Sequence, residues 1–376
     1  MRIKAVHLEQ FKRFTDLSIQ NIPQTAKLVV LLGPNGCGKS SVFDAFKTWH
    51  LFNGYRNGAN NDYCRKDSDS AKNSFELVNI DFHTDISSFS QEQYHQFFYF
   101  RTAYRNSPQI SIKTLSEVKS PLEIADHKMM IQNDSTVDDN YQRLISETLS
   151  QFYSEENDGK TVKTLRDETL KKIREPLKRL FSDLTLTEIG LVTDKAEFYF
   201  SKGTTTKFGY EKLSGGEKAA FDLLLDMVIK SEFYKDTIFC IDEPETHIHT
   251  SLQARLLVEL FDLVPNESQL WISTHSFGML KEARKLLEQN PGEVVFLNFD
   301  GYDFDENVTL EPSSCDTSLW NKMVEITLDD YAPFLSPETI VFCEGTTRGR
   351  KRKDFDARCY SIIFKSTHPN TIFYSL

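Results

Sequence analysis

The sequence predicts an α/β fold, with a parallel sheet covered by helices, and two features support this prediction. The hydrophobic pattern of residues 213–299 alternates between helix and strand, and strands are expected at 237–241, 269–273 and 293–298. Earlier in the chain, the apolar run 28–32 ends at a glycine-rich loop, which is typical of a buried parallel strand. A helical insertion between these two regions and a short second α/β segment at the end complete the predicted organisation.

The remaining elements are expected on both sides of that insertion. Strands are predicted within 1–32 and at 75–82, 97–100 and 339–343. A helix is predicted at 40–50, followed by a loop over 53–73, and 300–336 reads as a transition. The insertion contains two apolar helical faces, formed by Tyr141, Leu144, Ile145, Leu149 and Phe152, and by Val162, Leu165, Ile173, Leu177 and Leu180. Pro176 is expected to kink the second helix.

Composition restricts the class of protein. The chain has 376 residues, of which 39% are hydrophobic and 26% charged, as in soluble globular proteins. No apolar run reaches the ~18–20 residues of a membrane span, and the first residues contain no apolar signal core. We therefore expect a cytoplasmic protein without a membrane partner. The net charge of −11 opposes nonspecific DNA binding by the whole surface, so any nucleic-acid contact requires a local basic patch.

The glycine-rich loop at residues 33–40 (GPNGCGKS) has the pattern of a phosphate-binding loop. Its glycines allow backbone N–H groups to turn towards phosphate oxygens, and the helix that follows directs its positive N-terminus at the same anion. Lys39 is expected to reach the β- and γ-phosphates, and Ser40 to bind Mg²⁺. The predicted nucleotide contacts of this loop are Asn35, Gly36, Gly38, Lys39, Ser40 and Ser41.

Two later strands end in residues suited to ATP hydrolysis. Asp242 ends an apolar strand and is expected to orient the Mg²⁺ shell, and Glu243 beside it is the candidate general base. His275 follows the next strand and is the candidate γ-phosphate sensor. His247 and His249 form either a metal-binding pair or, as we favour, a loop at a dimer seam.

A third motif, residues 213–217 (LSGGE), lies one helix upstream of Asp242. Its glycines permit close backbone approach, and the helix expected from 217 to about 230 would point its N-terminus at a γ-phosphate. The predicted nucleotide contacts here are Ser214, Gly215 and Gly216.

With these motifs in this order, residues 1–300 resemble the ABC-type ATPase heads of the RecF, Rad50 and SMC group. The likeness is closer to the OLD (overcoming lysogenization defect) family, because of residues 243–249 (EPETHIH) and 8–14 (LEQFKRF). The resemblance implies an ABC-type P-loop head that engages a second copy head-to-tail in the presence of ATP, in a homodimer or higher homo-oligomer. It also implies that Ser214 acts on the nucleotide held by the second copy and that Arg13 lies near its own nucleotide. Gln109 is the candidate for the Q-loop.

OLD proteins carry a Toprim nuclease domain after the ATPase, and residues 340–345 (IVFCEG) look like its first strand and acidic turn. The resemblance implies that Glu344 is a metal ligand or an acid–base residue working with Mg²⁺ or Mn²⁺, and that Asp356 is the next acid. The basic run 348–353 either grips a DNA backbone or is a solvated loop. The later Asp-x-Asp strand of the Toprim pattern does not follow Asp356. We therefore expect a fragment of a longer nuclease, with a vestigial domain as the alternative.

These observations predict four segments. They are the N-terminal part of the ATPase head (1–105), the helical insertion (106–205), the C-terminal part of the head (206–330) and a partial Toprim domain (337–376).

The resemblance implies an ATPase that controls a Toprim DNA endonuclease in bacterial anti-phage defence. DNA is the expected partner, and a reverse transcriptase with its noncoding nucleic acid is another, because related ATPases act as retron effectors. The alternatives are a DNA-repair clamp of the RecF and Rad50 type that does not cut, and an ATP-dependent regulatory scaffold.

Overall fold

A computed structural model describes the chain in two units, Met1–Ser313 and Ser314–Leu376. The described residues are 1–56, 74–105, 109–116, 118–123, 125–126, 128–191, 196–313, 339–343, 355–364, 367–368 and 371–375.

The secondary structure of the first unit is mixed. Its strands are β1 (Ile3–Phe11), β2 (Phe14–Ile19), β3 (Leu28–Leu32), β4 (Val78–Phe82), β5 (Phe98–Arg101), β6 (Leu184–Ile189), β7 (Phe198–Lys202), β8 (Thr205–Gly209), β9 (Ile238–Asp242), β10 (Gln269–Thr274), β11 (Val294–Asn298) and β12 (Asn307–Leu310). Its helices are α1 (Lys39–Tyr55), α2 (Gln91–Tyr94), α3 (Val137–Phe152), α4 (Val162–Leu180), α5 (Gly215–Phe233), α6 (Thr250–Leu263) and α7 (Phe277–Gln289). None of the described helices combines the length and apolar composition that crossing a bilayer would require.

The central sheet has five parallel strands in the order β11-β3-β10-β9-β5. Its strands are buried almost throughout, which explains why they read as continuous apolar runs instead of alternating ones. The predicted α/β class and parallel sheet are confirmed. Since the strands are parallel, the loops after β3, β9 and β10 leave the same edge of the sheet, and these loops carry the three sets of predicted catalytic residues.

A second sheet, in the order β12-β2-β1-β4, packs beside the first through a shared apolar core. β1 runs antiparallel to β2 and β4, whereas β12 pairs parallel to β2 over the register Asn307↔Asp16 to Leu310↔Ile19. Residues 307–310 were expected to be part of a transition, and this strand was not predicted.

The insertion is not helical throughout, which corrects the expectation for 106–205. After α3 and α4, the strands β6, β7 and β8 form a three-stranded antiparallel sheet. Alternation in 184–189 (LTLTEI) was the signal, since its apolar residues face the core at every second position. The predicted segment boundaries stay predictions.

Three local expectations also need correction. Residues 74–77 form a 3₁₀ turn and the strand begins only at Val78. The apolar face of α3 is buried as far as Ile145, but Leu149 is 47% exposed and Phe152 50% exposed. Of the predicted apolar face of α4, Val162 is 61% exposed. Helix α4 continues through Pro176 to Leu180, and the kink expected at Pro176 stays a prediction.

The second unit contains a β-α-β arrangement. Strand β13 (Thr339–Cys343) pairs parallel with β14 (Thr371–Ser375), and helix α8 (Phe355–Ile363) lies between them in the chain. The strand predicted at 339–343 is confirmed, and the assignment to a Toprim domain stays a prediction.

Candidate nucleotide site

The glycine-rich loop joins β3 to α1 and is shaped by the residues under it. Gly38 caps the helix with φ of 105°, and a Cβ atom at this position would lie 2.7 Å from the ring of Phe14. A side chain is therefore excluded both by conformation and by space. Gly36 has φ of 78°, but a Cβ there would meet no atom within 4 Å. The loop thus packs tightly against the protein at Gly38 and presents an open concave side at Gly36, as a backbone cradle for an anion requires.

The cradle contains cations as well as backbone N–H groups. The Nζ atom of buried Lys39 donates to the carbonyl oxygens of Gly33 at 2.8 Å and Pro34 at 3.0 Å. No carboxylate among the described residues pairs with this ammonium, so its charge is available to an anion in the loop. Arg13 donates to the carbonyl of Gly36 and lies over the ring of Phe304 at 5.4 Å.

One cavity of about 520 Å³ opens on this loop. Its lining residues are Lys12, Arg13, Asn35, Gly36, Gly38, Lys39, Ser40, Ser41 and Glu243. The structure thus brings together every nucleotide contact predicted in the first motif, together with Arg13 and the candidate base. Lys12, which pairs with Asp44, was not predicted.

Asp242 is buried at the end of β9, directly below the loop. Burial raises the pKa of its carboxyl group to about 6, and hydrogen bonds from the hydroxyl groups of Ser273 and Ser40 oppose that rise. The carboxylate is therefore mostly ionised at neutral pH, with the Ser40 hydroxyl beside it. Few protein ligands are needed at a Mg²⁺ site that is completed by phosphate and water, and Ser40 with Asp242 fits that donor set.

Glu243 is held in a strained backbone position at the mouth of the cavity. Its φ is 42°, a left-handed conformation that is unusual for a residue other than glycine. Its N–H donates to both the carbonyl and the hydroxyl oxygen of Ser273 at 3.1 Å. Its carbonyl accepts from Nη2 of Arg105 at 2.9 Å, and Nη1 of Arg105 donates to the carbonyl of Asp242 at 2.8 Å.

Arg105 was missed by the sequence analysis as a functional residue. Its side chain is only 4% exposed and lies after β5, the strand that pairs with β9. The sole signal was an arginine shortly after a strand, which does not by itself indicate a partner 137 residues away.

His275 lies beside the candidate base. Its Nδ1 atom is 3.6 Å from Oε1 of Glu243 and 3.9 Å from Oε1 of Glu245. Glu245 is buried and accepts hydrogen bonds from the Thr274 hydroxyl at 2.6 Å and the His275 N–H at 3.1 Å. This carboxylate fixes the loop that carries the histidine, a role that the sequence analysis did not assign.

The predicted motif around Ser214 lies elsewhere on the first unit. Ser214 caps α5 through a reciprocal capping box with Glu217, and its side chain is exposed. It lines a separate cavity of about 420 Å³ together with His247, His249 and Arg255. A Cβ atom on Gly216 would lie 2.8 Å from the His247 carbonyl oxygen, so this glycine permits close packing of the two loops. Within one chain, the structure does not bring this motif to the phosphate loop.

One of the two histidines, His249, has a structural role in this arrangement. His249 caps α6 by accepting from the Ser251 N–H at 3.3 Å. Among the described ranges, no three His, Cys, Asp or Glu side chains are grouped as metal ligands.

Among the described residues of the first unit, Asp242, Gly215 and His275 were also predicted for the site and do not line this cavity. Gln109 is exposed and does not line it. Asp356, in the second unit, is an exposed residue in the first turn of α8. Glu344 and the basic run 348–353 lie outside the described residues.

Comparison with known proteins supports the reading of the first unit. Residues 28–280 match the profile of the family described as "AAA domain, putative AbiEii toxin, Type IV TA system". A search of curated proteins finds no matching sequence.

Similar solved structures include three SMC heads. An SMC head bound to the C-winged helix domain of ScpA has a TM-score of 0.48 at 12% identity, covering 85% of this chain and 100% of that chain. The SMC head domain from Thermotoga maritima has a TM-score of 0.41 at 14% identity, covering 84% and 100%. An SMC head from Pyrococcus furiosus with an extended coiled coil, bound to the C-terminal domain of ScpA, has a TM-score of 0.43 at 12% identity, covering 86% and 98%. No functional assignment rests on these three similarities.

Proposed function

The chain belongs to the family described as "AAA domain, putative AbiEii toxin, Type IV TA system", and on this basis we propose that it is a Mg²⁺-dependent ATPase. One observation carries the proposal. A phosphate-binding loop and Glu243 line one cavity, and the half-buried Ser40 of that lining is hydrogen-bonded to the buried carboxylate of Asp242. These are the three components that phosphoryl transfer to water requires: a cradle, a metal site and a group that orients the nucleophile.

Each residue has a distinct part in the proposed reaction. Lys39 and the loop N–H groups bind the phosphates, and Arg13 closes the cavity over Gly36. Ser40 and Asp242 hold Mg²⁺, which when bound neutralises charge that builds up on the phosphate oxygens. Glu243 accepts a proton from the attacking water. His275, whose Nδ1 atom lies 3.6 Å from Glu243, is the proposed sensor of the γ-phosphate.

We further propose that two copies complete each site. Ser214 is exposed at the N-terminus of a helix of 19 residues, where N–H groups and the helix dipole favour an anion. It lies in a different cavity from Lys39, so it can serve only a nucleotide that another copy presents. In a head-to-tail pair with two nucleotides at the interface, each copy completes the nucleotide site of the other in the same way.

The test of this proposal is ATP turnover by the purified chain. Lys39→Ala should lose ATP binding and turnover. Glu243→Gln should lose turnover by about 10²- to 10³-fold while it still binds ATP, and it should accumulate as a dimer by light scattering. Glu288→Gln, an exposed carboxylate of α7, is the matched control. Unchanged turnover in Glu243→Gln would overturn the assignment of the base, and a monomer with ATP bound would overturn the pair.

The wider role that we propose is control of a DNA endonuclease in bacterial anti-phage defence. The support is the likeness of residues 340–345 to the start of a Toprim domain and the β-α-β arrangement of the second unit. A reverse transcriptase with its noncoding nucleic acid is the proposed partner in a retron-type system.

Plasmid nicking by the protein in its longest native form tests this role. The assay uses Mg²⁺ or Mn²⁺, with and without ATP, and Glu344→Ala as the inactive variant. Nicking that disappears in Glu344→Ala supports the proposal. DNA binding without nicking favours a clamp, and nicking that persists in Glu344→Ala assigns the activity to another residue.

A further inference from the structure

A second cavity, of about 550 Å³, lies in the first unit and shares no lining residue with the nucleotide cavity. Five parts of the chain form its walls: the end of α1, strand β5, the segment that precedes α3, the first turn of α3, and the C-terminal half of α5. Its volume is within the range of small-molecule sites.

A buried ammonium group, that of Lys230, lines the cavity. Lys230 is 9% exposed and makes no hydrogen bond or ion pair with any residue in the described ranges. The nearest candidate on its own helix is Asp226, one turn earlier. That carboxylate already accepts from Tyr99, Arg101 and Asn140, the last at 2.7 Å.

Charges of both signs surround Lys230. Burial lowers the pKa of Lys230, and the positive charges of Arg143 and Arg101 lower it further, while Asp226 and Asp139 oppose them. The Nε atom of Arg143 is itself buried without a hydrogen-bond partner among the described residues. An unpaired buried cation is unfavourable, and an anion placed beside it removes that penalty.

The rest of the wall is both charged and aromatic. Asp126 pairs with Lys47, and Asp134 and Asp226 pair with Arg101, so these three carboxylates have cations of their own, whereas Asp139 also lines the cavity. Tyr55, Tyr234 and Phe100 line the cavity, and the hydroxyl groups of the two tyrosines donate to backbone carbonyls, at 3.2 Å for Tyr55 and 3.4 Å for Tyr234. Their rings therefore present apolar surface with the polar ends already occupied. Such surfaces accept a planar ring through offset or edge-to-face packing.

We propose that this cavity binds a small organic anion with an aromatic ring, with the anionic group at Lys230 and the ring against Tyr55 and Tyr234. No residue of the proposed ATPase reaction is used in this site. Its walls nevertheless belong to elements that carry that reaction: α1 begins at Lys39, α5 begins after Ser214, and β5 leads to Arg105. Occupancy should therefore alter turnover, a consequence that rests on the proposed ATPase function.

Calorimetric titration with phenyl phosphate tests the site independently of ATP. The titration uses Lys39→Ala, so that the phosphate loop does not contribute. Phenyl phosphate should bind Lys39→Ala, and at least tenfold weaker binding is expected when Lys230→Met is added. Lys163→Met, on an exposed lysine of α4, is the matched control and should leave binding unchanged.

Two further measurements keep the test decisive. Tyr55→Leu should weaken the binding of phenyl phosphate. Inorganic phosphate, which lacks the ring, should bind more weakly than phenyl phosphate to the parent protein and equally well to Tyr55→Leu. Thermal unfolding should show Lys230→Met to be at least as stable as the parent without ligand, because an unpaired buried charge has been removed. Absence of phenyl phosphate binding, or binding that Lys230→Met leaves unchanged, would overturn the proposal whether or not the chain hydrolyses ATP.

Discussion

Replacing Arg105 by methionine should slow ATP hydrolysis without removing ATP binding. The guanidinium donates to the carbonyls of Asp242 and Glu243, the two residues that the proposed reaction uses for the metal and for water. Neither bond involves the phosphate loop. Arg105 is thus a positioning residue, which holds the backbone of the catalytic carboxylates in place.

The magnitude follows from what the substitution leaves unpaired. The Glu243 carbonyl keeps donors from the N–H and hydroxyl groups of Thr246. The buried carbonyls of Asp242 and Thr102 each lose the donor that Arg105 supplied, at roughly 1–3 kcal/mol each, or about 2–6 kcal/mol together. If about half of this, or roughly 1–3 kcal/mol, appears as misplacement of Glu243 in the transition state, kcat falls roughly 5- to 160-fold. The rest should appear as a lower temperature of thermal unfolding.

The assay separates these effects. Phosphate release gives kcat, a fluorescent ATP analogue gives affinity, and thermal unfolding gives stability. We expect kcat to fall while the affinity for the ATP analogue changes by no more than a few-fold. Arg105→Lys should be intermediate, since a single ammonium cannot reproduce the two-pronged donation. Arg166→Met, on an exposed arginine of α4, is the control. A folded Arg105→Met protein with normal kcat, or one that loses ATP binding in parallel with kcat, would refute the reasoning.

Two other substitutions test the packing of the first unit. Burial raises the pKa of Asp222 to about 7, although the Tyr210 hydroxyl donates to its carboxylate. Because this carboxyl group ionises more readily in the unfolded chain, the protein should lose stability as pH rises from about 4 to about 7. Asp222→Asn should flatten that decline in unfolding temperature. A pH profile that is identical in Asp222→Asn would contradict this. Gly216→Ala should destabilise the protein by about 1–3 kcal/mol, because the new Cβ would lie 2.8 Å from the His247 carbonyl oxygen. Gly215→Ala, where a Cβ meets nothing within 4 Å, is the stability control, and equal unfolding temperatures of the two variants would count against the packing argument.

The elements with local signals could be predicted from the sequence. The strand–loop–helix around residues 33–40 and the alternation over 213–299 depend on short apolar runs and on glycines whose backbone conformation the loop requires. Because parallel strands bring their ends to one edge, the meeting of Ser40, Asp242 and Glu243 followed from the strand assignments alone.

Features that depend on distant partners could not be predicted. Strand β12 forms because it pairs with the edge of β2. In that pairing Asn307 lies opposite Asp16, which is 291 residues earlier in the chain. Arg105 acquires its role only when β5 pairs with β9. The sheet of β6 to β8 had a signal in its alternation, but the neighbouring helices dominated the interpretation of the insertion.

The central claim is that one copy completes the nucleotide site of another. Mixing two inactive variants tests this claim most directly. Lys39→Ala removes the phosphate loop and Ser214→Arg removes the partner motif, so each homodimer should be inactive. A mixed dimer retains one intact site, formed by the loop of one copy and Ser214 of the other. An equimolar mixture should therefore recover about a quarter of the native turnover, because half of the dimers are mixed and each has one working site of two. A mixture as inactive as its components would contradict the account.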